Sequence, residues 1–375
     1  MKVALLTDCY LPRLGGIEVQ THDLAAQLVA RGHEVEVFTA TPGARGERHG
    51  VVEEVDGIPV HRMAIRLPWE LPVNPLAPPE VRRRLRAGGF DVAHVHMGVV
   101  SPFATDLARV ALGLDLPTAI TWHCLMERSR PLFRALGHAR RWGGRGAALS
   151  AVSGVAAASV QAVVGDGSEV RVLPNGIDVG LWAPSAAPVR DPGAPVEVVA
   201  SMRLAARKRP MAVLEVAQAA RRLLPTDRAM RLTLFGEGPE RSRLERFVAA
   251  HQMGDWVHLP GRVDRQELRE SYWRSDVYLT PARLEAFGIA ALEARTAGLP
   301  VIARAGTGVG DFVADGVDGL LGADDPALAR GLADLVADEA LRGGIAGHNR
   351  TVAPAQAWPA VVEIAESEYR RAGAS

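Results

Sequence analysis

Cysteine is almost missing from this chain: Cys9 and Cys124 are the only two in 375 residues. Two thiols cannot build a disulfide framework, which points to a reducing compartment, the cytoplasm, and each reads most simply as a small buried apolar side chain. Lysine is as scarce. Lys2 and Lys208 stand against 41 arginines, a bias that a GC-rich genome explains in bulk but that marks Lys208 for attention. Net charge is absent too, with 43 basic and 43 acidic residues, and residues 1–180 hold 19 of the first against 18 of the second. No basic footprint for nucleic acid exists at that balance. No run approaches the ~20 apolar residues of a membrane span. The opening MKVALLTDCYLPR has one apolar pentad before charge and proline, unlike a signal peptide. Two motifs are also lacking. No Gly-x-Gly-x-x-Gly follows any strand-like run, so the dinucleotide fingerprint is out. No Asp-x-Asp occurs, the carboxylate pair through which a divalent metal commonly holds a sugar diphosphate.

What is present describes a globular protein. Apolar residues make up 48% and charged ones 23%, and the length suits two domains. Short β-branched runs at 2–6, 34–38, 91–96, 117–122, 148–152 and 170–173 alternate with helical patterns such as 19–29 and 153–164. The alternation begins again at 196–200, 231–235, 257–259, 276–280 and 299–303, and a terminal helix is expected over Trp358–Arg371. Apolar strands separated by helices predict parallel sheets covered on both faces. WAPSAAPVRDPGAP, with four prolines in residues 182–195, reads as a linker. The expected fold is therefore α/β, two doubly wound, Rossmann-like domains facing each other across a cleft, at 1–181 and 196–355. Ligands should lie at the carboxyl ends of the strands.

The most informative stretch is PARLEAFGIAALEARTAGLPVIA, with Glu285 and Glu293 spaced Glu-x7-Glu. A helix starting near Phe287 would leave Glu285 in the loop and Glu293 about two turns in, roughly 12 Å apart. That separation is too wide for an acid–base pair on one bond. It matches the distance from a hexose hydroxyl to the ribose of the nucleotide carrying it, with unpaired N–H groups between them suited to a diphosphate. Gly15 and Gly16, after the first strand, allow an anion to approach a helix start, or simply make a tight turn. Arg203 and Lys208, after the first strand of the second half, can clamp a diphosphate and stabilise its leaving charge; flanking Arg207 and Arg209 also suit a solvated basic turn. His123 ends a strand and points at the presumed cleft. His94 and His96 share a strand face, and with His123 and Cys124 have no recognised zinc spacing. No metal is expected. Arg82, Arg83, Arg84 and Arg86 line one side of a short helix over 80–87; a solvated face is the simpler reading and anionic lipid the sharper one.

These residues resemble the retaining glycosyltransferase family 4, the large GT-B group that includes bacterial phosphatidylinositol mannosyltransferases and the mycothiol-pathway glycosyltransferase. The resemblance spans nearly the whole chain. It rests on Gly15-Gly16, His123, VLPNGID at 172–178, Arg203 with Lys208, FGEGPE at 235–240, the Glu-x7-Glu run and GLPVIA at 298–303. It implies that Glu285 binds hydroxyls of the transferred sugar and Glu293 the ribose, and that backbone amides of Phe287, Gly288 and Ile289 meet the diphosphate with Gly16. Arg203 and Lys208 would stabilise the departing nucleoside diphosphate. His123 would contact the donor sugar, its backbone carbonyl facing the developing oxocarbenium ion. Tyr10 and Glu18 would take part in acceptor selection, and a C-terminal helix over 356–375 would cross back onto the first domain. The nucleotide-sugar is then a substrate and no cofactor or metal is needed. The favoured donor is GDP-mannose and the favoured acceptor a glycolipid precursor such as phosphatidylinositol, met at the inner face of the plasma membrane. UDP-glucose or UDP-N-acetylglucosamine with a small-molecule or polysaccharide acceptor, a nucleotide-sugar epimerase, and a non-catalytic sensor are the alternatives. Two positions depart from the family pattern: Arg209 stands where a glycine is usual, and Thr307-Gly308-Val309-Gly310-Asp311 replaces a Gly-Gly-acidic run.

Overall fold

The strand–helix alternation builds two separate sheets, each in its own compact unit. One unit is Met1–Gly176 with Trp358–Ser375, the other Ile177–Ala357. The computed structural model describes every residue except 14, 44–49, 65–72, 128–129, 187–190 and 192.

In chain order the first unit holds β1 (Lys2–Thr7), α1 (Gly16–Ala30), β2 (Glu34–Thr39), β3 (Val51–Val55), β4 (Ile58–Arg62), α2 (Ala77–Gly88) and β5 (Val92–Met97). Then come α3 (Pro102–Leu112), β6 (Thr118–Trp122), α4 (Arg130–Leu136), α5 (His138–Gly144), β7 (Ala148–Ala151), α6 (Gly154–Val164) and β8 (Val170–Val172). Its sheet runs β3-β4-β2-β1-β5-β6-β7-β8. Every pairing is parallel except β3 with β4, a hairpin that the strand reading above lacks. Its turn is Asp56-Gly57, with φ of 51° and 78°, as a two-residue type I′ turn needs. The central strands are apolar along their length, with all six residues of β5 and five of six in β1 buried, because helices cover both faces.

The second unit holds α7 (Val179–Trp182), β9 (Val196–Ser201), α8 (Pro210–Leu223), β10 (Met230–Phe235), α9 (Arg241–Ala250), β11 (Val257–Gly261) and α10 (Arg265–Trp273). β12 (Val277–Thr280), α11 (Ile289–Thr296), β13 (Val301–Arg304), β14 (Gly319–Gly322), α12 (Asp325–Ala337) and α13 (Glu339–Thr351) complete it. Its six strands run β11-β10-β9-β12-β13-β14, all parallel. The helices start where short polar side chains meet free N–H groups: Asp264, Asp324 and Asp338 each accept from a backbone N–H three residues on.

The last helix, α14 (Trp358–Arg371), returns to the first unit. Trp358, Val361, Val362, Ala365 and Tyr369 join β1, β2 and α1 in its core. At ~1.5–3 kcal/mol for each large side chain buried, this helix is a main support of that unit. One boundary differs from the expected 181. The segment α7 belongs to the second unit because Trp182 is fully buried there, 5.7 Å from the Tyr272 ring, with its carbonyl accepting from Trp273 Nε1 at 2.8 Å. Residues 187–190 and 192 of the proline-rich stretch lie outside the described residues.

In each sheet the strand order reverses direction at one place, between β1 and β5 and between β9 and β12. Loops leaving those strands diverge there and open a crevice at the carboxyl edge. Most of the sequence-derived candidates sit on those loops. Among the described residues no helix is long and apolar enough to cross a membrane.

Candidate active site

In the second unit, Arg203 and Lys208 follow β9, while Glu285 follows β12, so they flank the reversal point. Lys208 closes a short 3-10 turn, Ala206–Lys208, and its Nζ lies 2.5 Å from Glu285 Oε2. The ammonium and the carboxylate are both mostly shielded, so their attraction is stronger than that of a surface pair. Arg203 is exposed and makes no ion pair among the described residues. The helix α11 begins at Ile289, two residues later than the sequence suggested, because Gly288 takes φ 98° and acts as its cap. Phe287 points inward, 5.2 Å from the Phe312 ring. The N–H groups of Phe287, Gly288 and Ile289 find no acceptor among the described residues. Three unmet donors at the positive end of a helix suit an anion. Glu293 is buried about one turn into α11. Burial first, and then the negative charges of Glu293 and Glu285, push the Tyr278 phenol up.

The two departures have physical answers. Arg209 adopts the left-handed backbone itself, φ 58° and ψ 49°. Its guanidinium is held bidentately by Asp325 at 2.9 and 2.5 Å and by the Pro281 carbonyl at 2.9 Å. In the second motif, Gly308 backs onto the 285–288 loop: its N–H donates to the Glu285 carbonyl at 2.9 Å, and a Cβ there would lie 2.1 Å from the Ala286 oxygen.

In the first unit, His123 stands one residue past β6, its N–H donating to the Met97 carbonyl at 2.9 Å. Its Nε2 is 3.0 Å from His96 Nδ1. His96 in turn lies against His94, ring centroids 4.2 Å apart and planes tilted by 34°. His94 is anchored on both nitrogens, to Tyr369 Oη at 3.0 Å and Thr121 Oγ1 at 2.7 Å. Burial holds all three rings neutral, pushing His123 down to about 4 and His94 to about 3. They line a cavity of about 20 Å³ with Gln20, Asn175 and Trp358. Both nitrogens of His94 are committed to hydroxyls. Among the described residues no group of three or more His, Cys, Asp or Glu side chains is arranged for a metal.

Other expectations in this unit need correcting. Tyr10 is wholly buried: its ring packs in the core, its hydroxyl pairs with His22 Nδ1 at 2.8 Å, and it cannot touch an acceptor. The half-buried Cys9 and Cys124 are not core residues; they sit on the loops leaving β1 and β6. Gly15 and Gly16 do not need a positive φ, since Gly15 is extended at −161° and Gly16 is not among the residues with positive φ. Glu18 is buried and folds back over Gly15, where an added Cβ would lie 2.4 Å from Oε2. The helix start expected to cradle an anion is covered by the carboxylate of its own third residue. The preceding Leu14 lies outside the described residues. On α2, Arg83 and Arg84 both pair with Glu80, at 2.6 and 2.7 Å, holding its carboxyl down at about 2. Arg84 also reaches His61 and Arg82 the Gly113 carbonyl, leaving Arg83 and Arg86 as the exposed pair.

Three contributors were not singled out by residue type. Asp8, at the end of β1, accepts from the N–H groups of Phe103 and Ala104 and so caps α3 from another strand; burial raises it to about 6. Gln20 clamps Gly176 through both its amide atoms at 3.0 and 2.9 Å. Asp325 gathers Arg209, Arg304 and Arg283. Nothing local signals any of them, because their partners are 21 to 156 residues away.

Residues 14–181 match the family described as Glycosyltransferase Family 4, and residues 188–349 match Glycosyl transferases group 1. The chain is 28% identical to a D-inositol 3-phosphate glycosyltransferase of Pseudarthrobacter chlorophenolicus, over 82% of this chain and 78% of that one. It is also 28% identical to a GDP-mannose-dependent alpha-(1-6)-phosphatidylinositol monomannoside mannosyltransferase of Mycolicibacterium smegmatis, over 92% of each. Among solved structures, sucrose-phosphate synthase from Thermosynechococcus elongatus superposes with a TM-score of 0.75, covering 99% of this chain and 98% of that one at 22% identity, which shows the GT-B fold.

Proposed function

We propose that this chain, which belongs to glycosyltransferase family 4, moves a mannosyl group from GDP-mannose to a glycolipid precursor such as phosphatidylinositol, retaining the anomeric configuration and using no metal. The observation that carries the donor side is one loop: the Lys208–Glu285 pair beside the three unmet N–H groups of residues 287–289. Phosphate oxygens take those N–H groups, and Lys208 and exposed Arg203 balance the charge that grows as the diphosphate leaves. Glu285, oriented by Lys208, accepts from sugar hydroxyls, while Glu293 takes the ribose. The acceptor hydroxyl attacks from the face the diphosphate leaves, and a departing phosphate oxygen takes its proton. The carbonyl of His123 accepts no hydrogen bond among the described residues, so it is available to the positive charge at the reacting carbon. Mannose, the guanine nucleotide and the inositol lipid are supported by the name of the Mycolicibacterium relative, while that of the Pseudarthrobacter relative supports only an inositol-containing acceptor. Work at the cytoplasmic face of a membrane is supported by exposed Arg86, Arg83 being paired with Glu80.

The test is thermal shift with GDP-mannose, UDP-glucose, UDP-N-acetylglucosamine and their free diphosphates, with EDTA present. A ligand at ~100 times its dissociation constant adds ~2.7 kcal/mol, a visible rise. A GDP-selective rise, followed by GDP release on adding phosphatidylinositol, is expected. A UDP-selective rise replaces the donor, a new free sugar nucleotide without transfer points to an epimerase, and no rise with any nucleotide defeats the donor site.

A further inference from the structure

We infer that His96 is a positioning residue for the transfer, holding the ring of His123 so that the His123 carbonyl is presented at the carboxyl edge of β6. The inference rests on the reading of His123 given above. His96 lies on β5 and is 3% exposed, so it acts through His123 rather than on a substrate directly. Its Nδ1 engages His123 Nε2 at 3.0 Å, and its ring lies against one that is itself pinned at both nitrogens. Thr121, which holds His94, is held by Ser150 Oγ at 2.8 Å. The result is a row of rings anchored at its base on β6, β7 and α14, with His123 at its open end. The N–H of His123 is fixed by Met97, and its carbonyl is left with no partner among the described residues. Fixing the ring therefore fixes the peptide that follows it.

The same arrangement sets the proton count. The groups facing His123 are His94, His96 and Asn175, and none of them is a carboxylate. Two neutral rings share one N–H between Nδ1 and Nε2. Whichever ring donates, His96 Nε2 is left needing a partner, and it has none among the described residues. The adjoining cavity of about 20 Å³ has room for about one water. A neutral ring is also what the chemistry needs, because an imidazolium there would oppose the positive charge developing at the anomeric carbon.

Three variants of the full chain separate positioning from support. His96→Leu removes the contact; His96→Asn keeps an amide N–H near the place of Nδ1; Tyr369→Phe loosens His94 alone. Steady-state GDP release should show His96→Leu losing about 10- to 100-fold in kcat with donor KM within about twofold, and His96→Asn recovering most of that loss. Tyr369→Phe, which leaves Thr121 holding His94, should lower the melting temperature and cost far less kcat than His96→Leu. Wild-type kcat in His96→Leu, or parallel losses in His96→Leu and Tyr369→Phe, would overturn the inference. Should the wild-type chain release no GDP, the glycosyl-transfer reading is what fails, and ring-nitrogen NMR still decides the contact. A single neutral His123 tautomer from about pH 6 to 8 that becomes mixed in His96→Leu supports it, and a mixture already in the wild type defeats it.

Discussion

Position 209 shows how a side chain can hold a backbone that glycine would adopt freely. A left-handed non-glycine residue costs about 1–2 kcal/mol, and the bidentate bond to Asp325 offsets it. Arg209→Ala keeps the strain and loses the anchor, so urea unfolding should show a loss of about 2 kcal/mol, with Arg209→Gly about 1 kcal/mol less damaging. An equal loss in both variants would mean that the backbone carries no strain. At Lys208 the expectation concerns rate. Lys208→Met removes the charge facing the diphosphate and frees Glu285, so kcat should fall about 100- to 1,000-fold, and a change under tenfold would remove Lys208 from the chemistry. The scarcity of lysine flagged this position from composition alone. Tyr10 shows the opposite case. A tyrosine beside a crevice looks like a ligand contact until His22 and the core on the far side of β1 are in place, and those partners are set by tertiary packing.

Among elements, the loop between β12 and α11 depends on its neighbour. Gly288 sits at φ 98° with Val309 Cγ2 2.7 Å from where a Cβ would be, and Gly308 leaves no room against Ala286. Gly308→Ala should displace the 285–288 loop, raising donor KM at least about tenfold while leaving the melting temperature within a few degrees. Unchanged donor affinity would show that the loop tolerates the shift. Strand and helix identity was legible where periodicity was strong, as in the six-residue β1 and in Trp358–Arg371. The hairpin β3–β4 is hard to read although VVEEVDGIPV carries an Asp-Gly turn, because Val-Val-Glu-Glu-Val shows no apolar–polar alternation in sequence and the edge strand buries no residue fully. The start of α11 was set two residues early, since a glycine cap at positive φ looks like any other glycine in sequence. The Glu-x7-Glu run and its unmet amides were legible; the cover that Glu18 places over Gly15 was not, because a carboxylate three residues into a helix can face either way.

For the molecule as a whole, protons are the sensitive variable. His94, His96 and His123 are neutral when folded and regain a pKa near 6.5 when unfolded. Between pH 6.5 and about 4 the unfolded chain therefore binds up to three more protons, and stability is lost as pH falls through that window. Asp8 works against this: folded it titrates near 6, unfolded near 3.8, so it releases one proton on unfolding over part of the range. The net of these four groups is about two protons, or about 2.7 kcal/mol of stability per pH unit near pH 5, and the lowered His61 and His138 add in the same direction. Denaturant midpoints at pH 7 and pH 5 should differ in that direction, and an equal or higher midpoint at pH 5 would mean that the histidine cluster is not held neutral.

Unit 2 begins and ends side by side, with Ile177 bridged to Ala357, so everything between them is contiguous in sequence. The first unit is not, because α14 lies beyond that insertion. On a ribosome adding about 5–20 residues per second, most of the second unit is synthesised while the sheet begun at Lys2 still lacks Trp358, Val361 and Tyr369. What is translated first is completed last, and the exposed apolar groove waiting for that helix is where a chaperone, or a second nascent chain, would find its hold.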